Sequence, residues 1–197
     1  MKILFQGDSI TDACRDRADY HNLAGYTTYV ADSLGDEHEY INLGISGNTS
    51  TMLLDRYESD IKKINPDIMT LLIGINDIWR RHDENTYISP EQYNKNVTEI
   101  ITRLKNDCPN VKIIILEPFL LPAKERLFWA GELGEIIREC RQVALKYADG
   151  YVALDGIFAK KMMETGWEIL SADGVHPLDE GNKLIAKHLI DEIKKFI

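Results

Sequence analysis

The chain has 197 residues, 44% of them apolar and 28% charged, with a net charge of −9, which suits one soluble domain large enough to bury a core without disulfides or metals. The acidic balance argues against unspecific attraction to nucleic acid or an anionic membrane, because phosphate binding needs a basic face; a neutral substrate stays open. No stretch approaches the ~18 apolar residues that cross a bilayer, and the apolar start Ile3-Leu4-Phe5 stops at Gln6, so no signal peptide is expected and the cytoplasm is the expected compartment.

Ile3 to Phe5 is a short apolar run ahead of Gly7 and predicts a buried strand. Tyr40-Ile41-Asn42-Leu43 predicts a second, just before a glycine-rich loop. Thr51 to Asn65 places Leu54, Tyr57, Ile61 and Ile64 on one helical face. Pro66 punctuates the chain, and residues 67–73 predict a longer buried strand. Ser89 as N-cap with Pro90 in the first turn starts a helix whose apolar positions are Val97, Ile100, Ile101 and Leu104. Lys112 to Leu116 is the clearest strand, closed by Pro118. A helix follows over roughly Phe128 to Tyr147, then a fifth strand over Tyr151 to Leu154. The last helix begins near Leu178-Asp179-Glu180 and runs to the C-terminus through Leu184, Ile185, Leu189 and Ile193.

Five short strands separated by helices imply a parallel sheet covered on both faces. The expected class is α/β, a three-layer α/β/α sandwich of flavodoxin-like type, as one domain over residues 1–197 with no repeat or linker. Sites in such sheets form at the carboxyl ends of the strands. Four blocks lie there: Gly7-Asp8-Ser9, Gly44-Ile45-Ser46-Gly47-Asn48-Thr49, Gly74-Ile75-Asn76-Asp77, and Asp173-Gly174-Val175-His176-Pro177 just before the last helix.

The blocks hold the parts for acyl transfer through a serine ester. Ser9, in a turn between strand and helix, is the candidate nucleophile; a turn serine or helix N-cap is the plain alternative. Of the five histidines, His21, His38 and His82 sit in polar surroundings and His188 lies in the last helix among Ile185 and Leu189. Only His176 has an acid three residues earlier and Pro177 beside it, so it is the candidate base. Asp173 would orient the imidazole and stabilise the imidazolium, or simply form an Asx-turn. Glycines at 44 and 47 and the amide of Asn76 supply candidate oxyanion donors beside the Ser9 N–H, with turn geometry and helix capping as the alternatives. Asp8 and Asp77 read as loop-holding carboxylates. Trp79 and Arg80 follow the asparagine block and would wall a pocket, where Trp79 either stacks on a sugar ring or packs in the core.

The order and wording of these blocks resemble the GDSL, or SGNH, family of serine esterases. The resemblance runs from Gly7 to Pro177. Gly-Asp-Ser-Ile-Thr-Asp, Gly-Ile-Ser-Gly-Asn-Thr, Ile-Gly-Ile-Asn-Asp-Ile-Trp-Arg and Asp-x-Val-His-Pro look closest to its intracellular acetylxylan esterases. Carried over residue by residue, the resemblance implies Ser9, Asp173 and His176 as the triad and Ser9, Gly47 and Asn76 as the oxyanion hole, with Gly47 preferred to Gly44. It implies hydrolysis of short-chain acyl esters, acetyl above all, on carbohydrates such as xylo-oligosaccharides, with a small-molecule ester as the partner. One departure is Ala172, where no aromatic precedes the acid.

No metal or cofactor is expected, since no ligand cluster has metal spacing and there is no His-Glu-x-x-His. Cys14, Cys108 and Cys140 read as free thiols of a reducing compartment, with Cys14 a half-buried filler despite its nearness to Ser9. The resemblance suggests a homo-oligomer, and Leu120, Leu121, Phe128 and Trp129 would form its apolar patch. The competing activity is a thioesterase or lysophospholipase, with Phe119-Leu120-Leu121 and Leu127-Phe128-Trp129 lining an acyl channel. A nucleotide- or flavin-binding domain lacks its glycine fingerprints here, and a binding module with a dead site would not need the full catalytic set.

Overall fold

A computed structural model describes all residues 1–197. Five strands, β1 (Lys2–Gly7), β2 (Glu39–Asn42), β3 (Ile68–Leu72), β4 (Lys112–Leu116) and β5 (Gly150–Val152), pair in parallel in the order β2-β1-β3-β4-β5. Every residue of β3 is buried, as are four of the five in β4. That burial explains why these segments read as continuous apolar runs without alternation.

The helices are α1 (Ser9–Asp12), α2 (Tyr26–Leu34), α3 (Ser50–Asp55), α4 (Lys62–Ile64), α5 (Ile75–Asp83), α6 (Pro90–Asp107), α7 (Ala130–Tyr147), α8 (Leu154–Thr165) and α9 (Asp179–Ile193). α2 packs with α9, while α3, α6 and α7 form a second set. The chain moves outward one way from β1 to β2 and the other way from β3 to β5. Right-handed crossovers then put the two helix sets on opposite faces of the sheet. The reversal lies between β1 and β3, and the crevice beyond their carboxyl ends is where such sheets hold ligands.

The predicted α/β/α sandwich and its five strands are present. Several elements differ in detail. The segment after Ser50 is not one regular helix: a π turn over Tyr57–Ile61 separates α3 from α4. The extra residue per turn rotates the face, so the buried apolar residue of α3 is Leu53, and Leu54 is only partly buried. The last strand stops at Val152, and Leu154 already opens α8. α2 and α8 went without individual prediction; Thr27, Thr28 and Gly156 blur their periodicity.

The apolar cluster assigned to an oligomer face is mostly internal. Leu121 and Trp129 are buried in the chain's own core and Leu120 packs against it, which leaves Phe128, 64% exposed, and its neighbour Leu127 on the surface. The Leu127–Trp129 segment is a 3-10 turn ahead of α7. It turns Phe128 outward and the next aromatic, Trp129, inward.

Candidate active site

β1 ends at Gly7, where an added Cβ would meet the Leu72 carbonyl at 2.4 Å. The close packing of β1 on β3 therefore needs glycine at that point. Asp8 caps α1, its carboxylate accepting the Ile10 N–H at 3.0 Å. Ser9 is the first residue of this short helix, so its N–H has no helical acceptor and its side chain leaves the strand end towards the crevice. Ser9 Oγ lies 2.9 Å from His176 Nε2.

His176 sits on a turn built around Asp173. Asp173 Oδ1 accepts the Val175 N–H at 3.0 Å and the His176 N–H at 2.8 Å. Its Oδ2 lies 2.9 Å from His176 Nδ1. The Asx-turn and the orienting contact, alternatives in the sequence, are one arrangement here. Burial alone would raise the Asp173 carboxyl, but these His176 and Val175 hydrogen bonds outweigh it and hold the group below its usual value. Ser171 fixes the turn from beneath, donating to the His176 carbonyl at 2.8 Å and accepting from the Gly174 N–H at 3.0 Å.

The glycine-rich loop approaches from the β2 end. Gly44 touches α1 so closely that a Cβ would lie 2.4 Å from the Asp12 nitrogen. Gly47 has φ +83° and faces the crevice, and its N–H makes no hydrogen bond within the chain. Asp12 draws this loop onto α1 by accepting from the Ser46 side chain and, at 3.3 Å, from the Ser46 N–H. Arg56 ties the same loop to β1: it donates to Asn48 Oδ1 at 2.8 Å, the Leu43 carbonyl at 2.9 Å and Gln6 Oε1 at 2.8 Å.

Asn76, in the first turn of α5, is only 3% exposed. Its Nδ2 donates to the Asn48 carbonyl at 3.1 Å. One N–H of the amide is thereby fixed, and the other is left for the crevice that Asn76 lines. Asp77 faces away and accepts from the Ser50 N–H at 3.0 Å and from the Ser50 hydroxyl. Ser50 in turn accepts from Asn96 at 3.0 Å, so three elements clamp the donor loops.

Ser9, Ser46, Gly47, Asn76 and His176 line a cleft of about 530 Å³. Trp79 forms one wall, its ring 5.9 Å from that of His176. Arg80 closes the far side beside Gly47 and is paired with Asp83 and, at 3.2 Å, with Glu84. Cys14 is exposed and lines the cleft rather than filling a half-buried gap. It follows Ala13 in the left-handed region, φ +59°, which swings it out of the helix path. Asn182 also lines the cleft, from α9.

The structure brings Ser9, Gly47, Asn76, Trp79, Arg80 and His176 to one cleft, with Asp173 behind the imidazole and Asp8 and Asp77 buried beneath the loops. Arg126, Arg56 and Asn182 lie outside every sequence motif, and Asp12, the last residue of the Gly-Asp-Ser-Ile-Thr-Asp block, carried no role there; each acts through a partner brought close only by folding.

Asp8 and Asp77 are fully buried, and burial pushes their carboxyls up to about 7 and about 6; for Asp8 the Asp77 charge adds to the rise. Such a group holds its proton more tightly folded than unfolded. Its contribution to stability is thus full below about pH 4 and lost as pH rises through the folded value. Asp8→Asn should flatten the decline between pH 5 and 8 by roughly 2 kcal/mol, read from urea midpoints at both pH values. An equal decline in parent and variant would show that Asp8 is not the group responsible.

The chain belongs to the GDSL-like lipase/acylhydrolase family, whose profile matches residues 5–184, and it is a carboxylic ester hydrolase. An acetylxylan esterase from Geobacillus stearothermophilus is 30% identical over 207 aligned residues, covering 98% of this chain and 93% of that protein. The crystal structure of an acetylxylan esterase from the same organism superposes with a TM-score of 0.84 at 29% identity over 98% of this chain and 93% of that one. The crystal structure of a GDSL-like lipase from Parabacteroides merdae superposes with a TM-score of 0.92 at 29% identity, covering 98% and 95%.

Proposed function

We propose that residues 1–197 form one esterase domain that removes short acyl groups, chiefly acetyl, from carbohydrates such as xylo-oligosaccharides through an acyl-serine intermediate. The observation that carries the mechanism is the contact chain from Ser9 Oγ through the His176 ring to Asp173 Oδ2, 2.9 Å at each step. Ser9 Oγ attacks the ester carbonyl and its proton passes to His176 Nε2. The N–H groups of Ser9 and Gly47 and the free amide N–H of Asn76 receive the negative oxygen. As the intermediate collapses, His176 returns the proton to the departing sugar oxygen. Water, deprotonated by the same nitrogen, then releases acetate and regenerates Ser9.

Three features support a small acyl group on a sugar. Phe119, Leu121 and Trp129, which would have lined a long acyl channel, are buried in the core. Polar Ser46, Asn76, Arg80 and Asn182 share the cleft with Trp79, the mix of ring face and hydrogen-bonding groups that suits a carbohydrate. The Geobacillus relative is an acetylxylan esterase. An apolar channel would add about 0.8 kcal/mol of binding per methylene, whereas a small pocket excludes longer chains by overlap. kcat/KM should therefore fall from acetate to octanoate on one leaving group, with acetate released from acetylated xylo-oligosaccharide. A steady rise towards octanoate without acetate release from the sugar would replace this reading with the thioesterase or lysophospholipase one.

The assembly proposed is a homo-oligomer, with exposed Leu127 and Phe128 as the apolar pair it would cover; a monomer's sedimentation coefficient at micromolar protein would remove it. The compartment proposed remains the cytoplasm.

A further inference from the structure

Arg126 belongs to the loop between β4 and the 3-10 turn, outside every sequence motif and outside the cleft lining. This loop is docked on the Asp173 turn. The Leu121 N–H donates to the Gly174 carbonyl at 2.8 Å, and Gly174, φ +88°, passes so close that an added Cβ would sit 2.8 Å from both Ala123 Cβ and the Leu121 carbonyl. From there Arg126 Nη1 donates to the Asp173 carbonyl at 2.7 Å, and Nη2 lies 3.4 Å from Asp173 Oδ2. That oxygen is the one facing His176 Nδ1. The guanidinium also lies over Trp79, 4.5 Å from its ring centre, with Trp129 5.6 Å away. Two aromatic faces and a backbone acceptor fix its plane, a role the planar fork fills and an ammonium does not.

We propose that Arg126 is a positioning residue for the reaction: it holds the Asp173 turn in place and shares the Asp173 carboxylate with His176, so that the imidazole is free to accept the serine proton at a lower pH than Asp173 alone would allow. This rests on the catalytic reading of Ser9, Asp173 and His176. The physical reason is that Asp173 favours the imidazolium, while a cation on the same oxygen offsets part of that attraction and repels the imidazolium directly. Loss of the charge therefore shifts the balance one way, and loosening of the turn shifts it the other, since a displaced Asp173 no longer favours the imidazolium. The sign separates an electrostatic role from a merely structural one.

Other charged groups border this site. Asp8 caps α1, and burial pushes its carboxyl up to about 7. Cys14 and Arg80 face the cleft, Arg80 with Asp83 and Glu84 as partners. His82 stacks on Trp129 and pairs with Glu132 at 3.4 Å, and Asp179 pairs with Lys183 at 2.8 Å. Only Arg126 forms an ion pair with Asp173 apart from His176 itself. None of these groups is itself altered when Arg126 is changed, and the comparison of Arg126→Met with Arg126→Lys separates the charge from the packing on Trp79 and the Asp173 carbonyl.

The test is the pH profile of kcat/KM on 4-nitrophenyl acetate for the parent, Arg126→Met and Arg126→Lys, with Arg126→Gln in place of Met should that variant fail to fold. In Arg126→Met the acidic limb should move up by about half a pH unit or more, and kcat should fall at every pH. Arg126→Lys should return the limb towards the parent position while kcat stays lowered, because the charge is restored and the fork is not. A limb that stays put or moves down, or a rise in KM with kcat unchanged, overturns the proposal. His176→Ala and Asp173→Asn are assayed alongside. If they keep near-parent activity, the catalytic reading itself has failed; if they lose it while the Arg126→Met limb does not rise, only the role of Arg126 has.

Discussion

Ser9→Ala is expected to lower kcat for 4-nitrophenyl acetate by a factor on the order of 10⁶, and His176→Ala by a similar factor. A serine hydroxyl is a poor nucleophile at neutral pH and gains its reactivity from a base within hydrogen-bond reach. Ser9 Oγ has such a base 2.9 Å away. Removing the hydroxyl leaves nothing to acylate, and removing the imidazole leaves nothing to take or return the proton. The two losses should therefore not add: the double variant should be about as slow as either single one. Ser9→Ala should change stability little, since Ser9 Oγ bonds only His176 and its side chain is not buried in the core. Ester hydrolysis by Ser9→Ala within tenfold of the parent, with its melting temperature preserved, would end the assignment.

The next largest effect belongs to Asn76. Asn76→Ala should lower kcat by ~10²–10³, the usual loss for one oxyanion donor, with little change in KM. The donor acts mainly on the charged intermediate, so its loss is felt in turnover rather than in substrate binding. The variant also strips the Asn48 carbonyl of its partner at 3.1 Å, which should cost about 1 kcal/mol of stability. A change confined to KM would make Asn76 a binding or capping residue. A change confined to stability would make it a loop clamp.

The candidate site was largely legible because each of its parts sits in a short segment with its own backbone demand. Ser9 and Asn76 follow strand ends that burial makes continuously apolar, and Asp173 and His176 share one turn. Such local features survive in the order of residues. The fold was legible for the same reason wherever a strand was buried on both faces or a helix carried a clean stripe, as in α6. The π turn at Tyr57–Ile61 was hidden, because the spacing of apolar residues does not say where a helix gains a residue per turn. Leu121 and Trp129 read as surface because their run lies outside the strands, whereas the loop after β4 docks Leu121 on the Gly174 carbonyl and the 3-10 turn folds Trp129 inward. Arg126 left no trace in the sequence. Its target Asp173 stands 47 positions downstream, and only the docking of one loop on another joins them.

The most direct test of the central claim is the mass of the intact enzyme and its peptides after exposure to a fluorophosphonate. Such a reagent reacts at phosphorus with an activated serine oxygen and expels fluoride, leaving a stable adduct. One phosphonyl group per chain is expected, on the peptide carrying Ser9, with activity lost in proportion to labelling and no adduct in Ser9→Ala or, over the same time, in His176→Ala. Complete loss of activity with Ser9 unmodified, or full labelling of Ser9 with activity retained, would contradict the claim that Ser9 carries the acyl group.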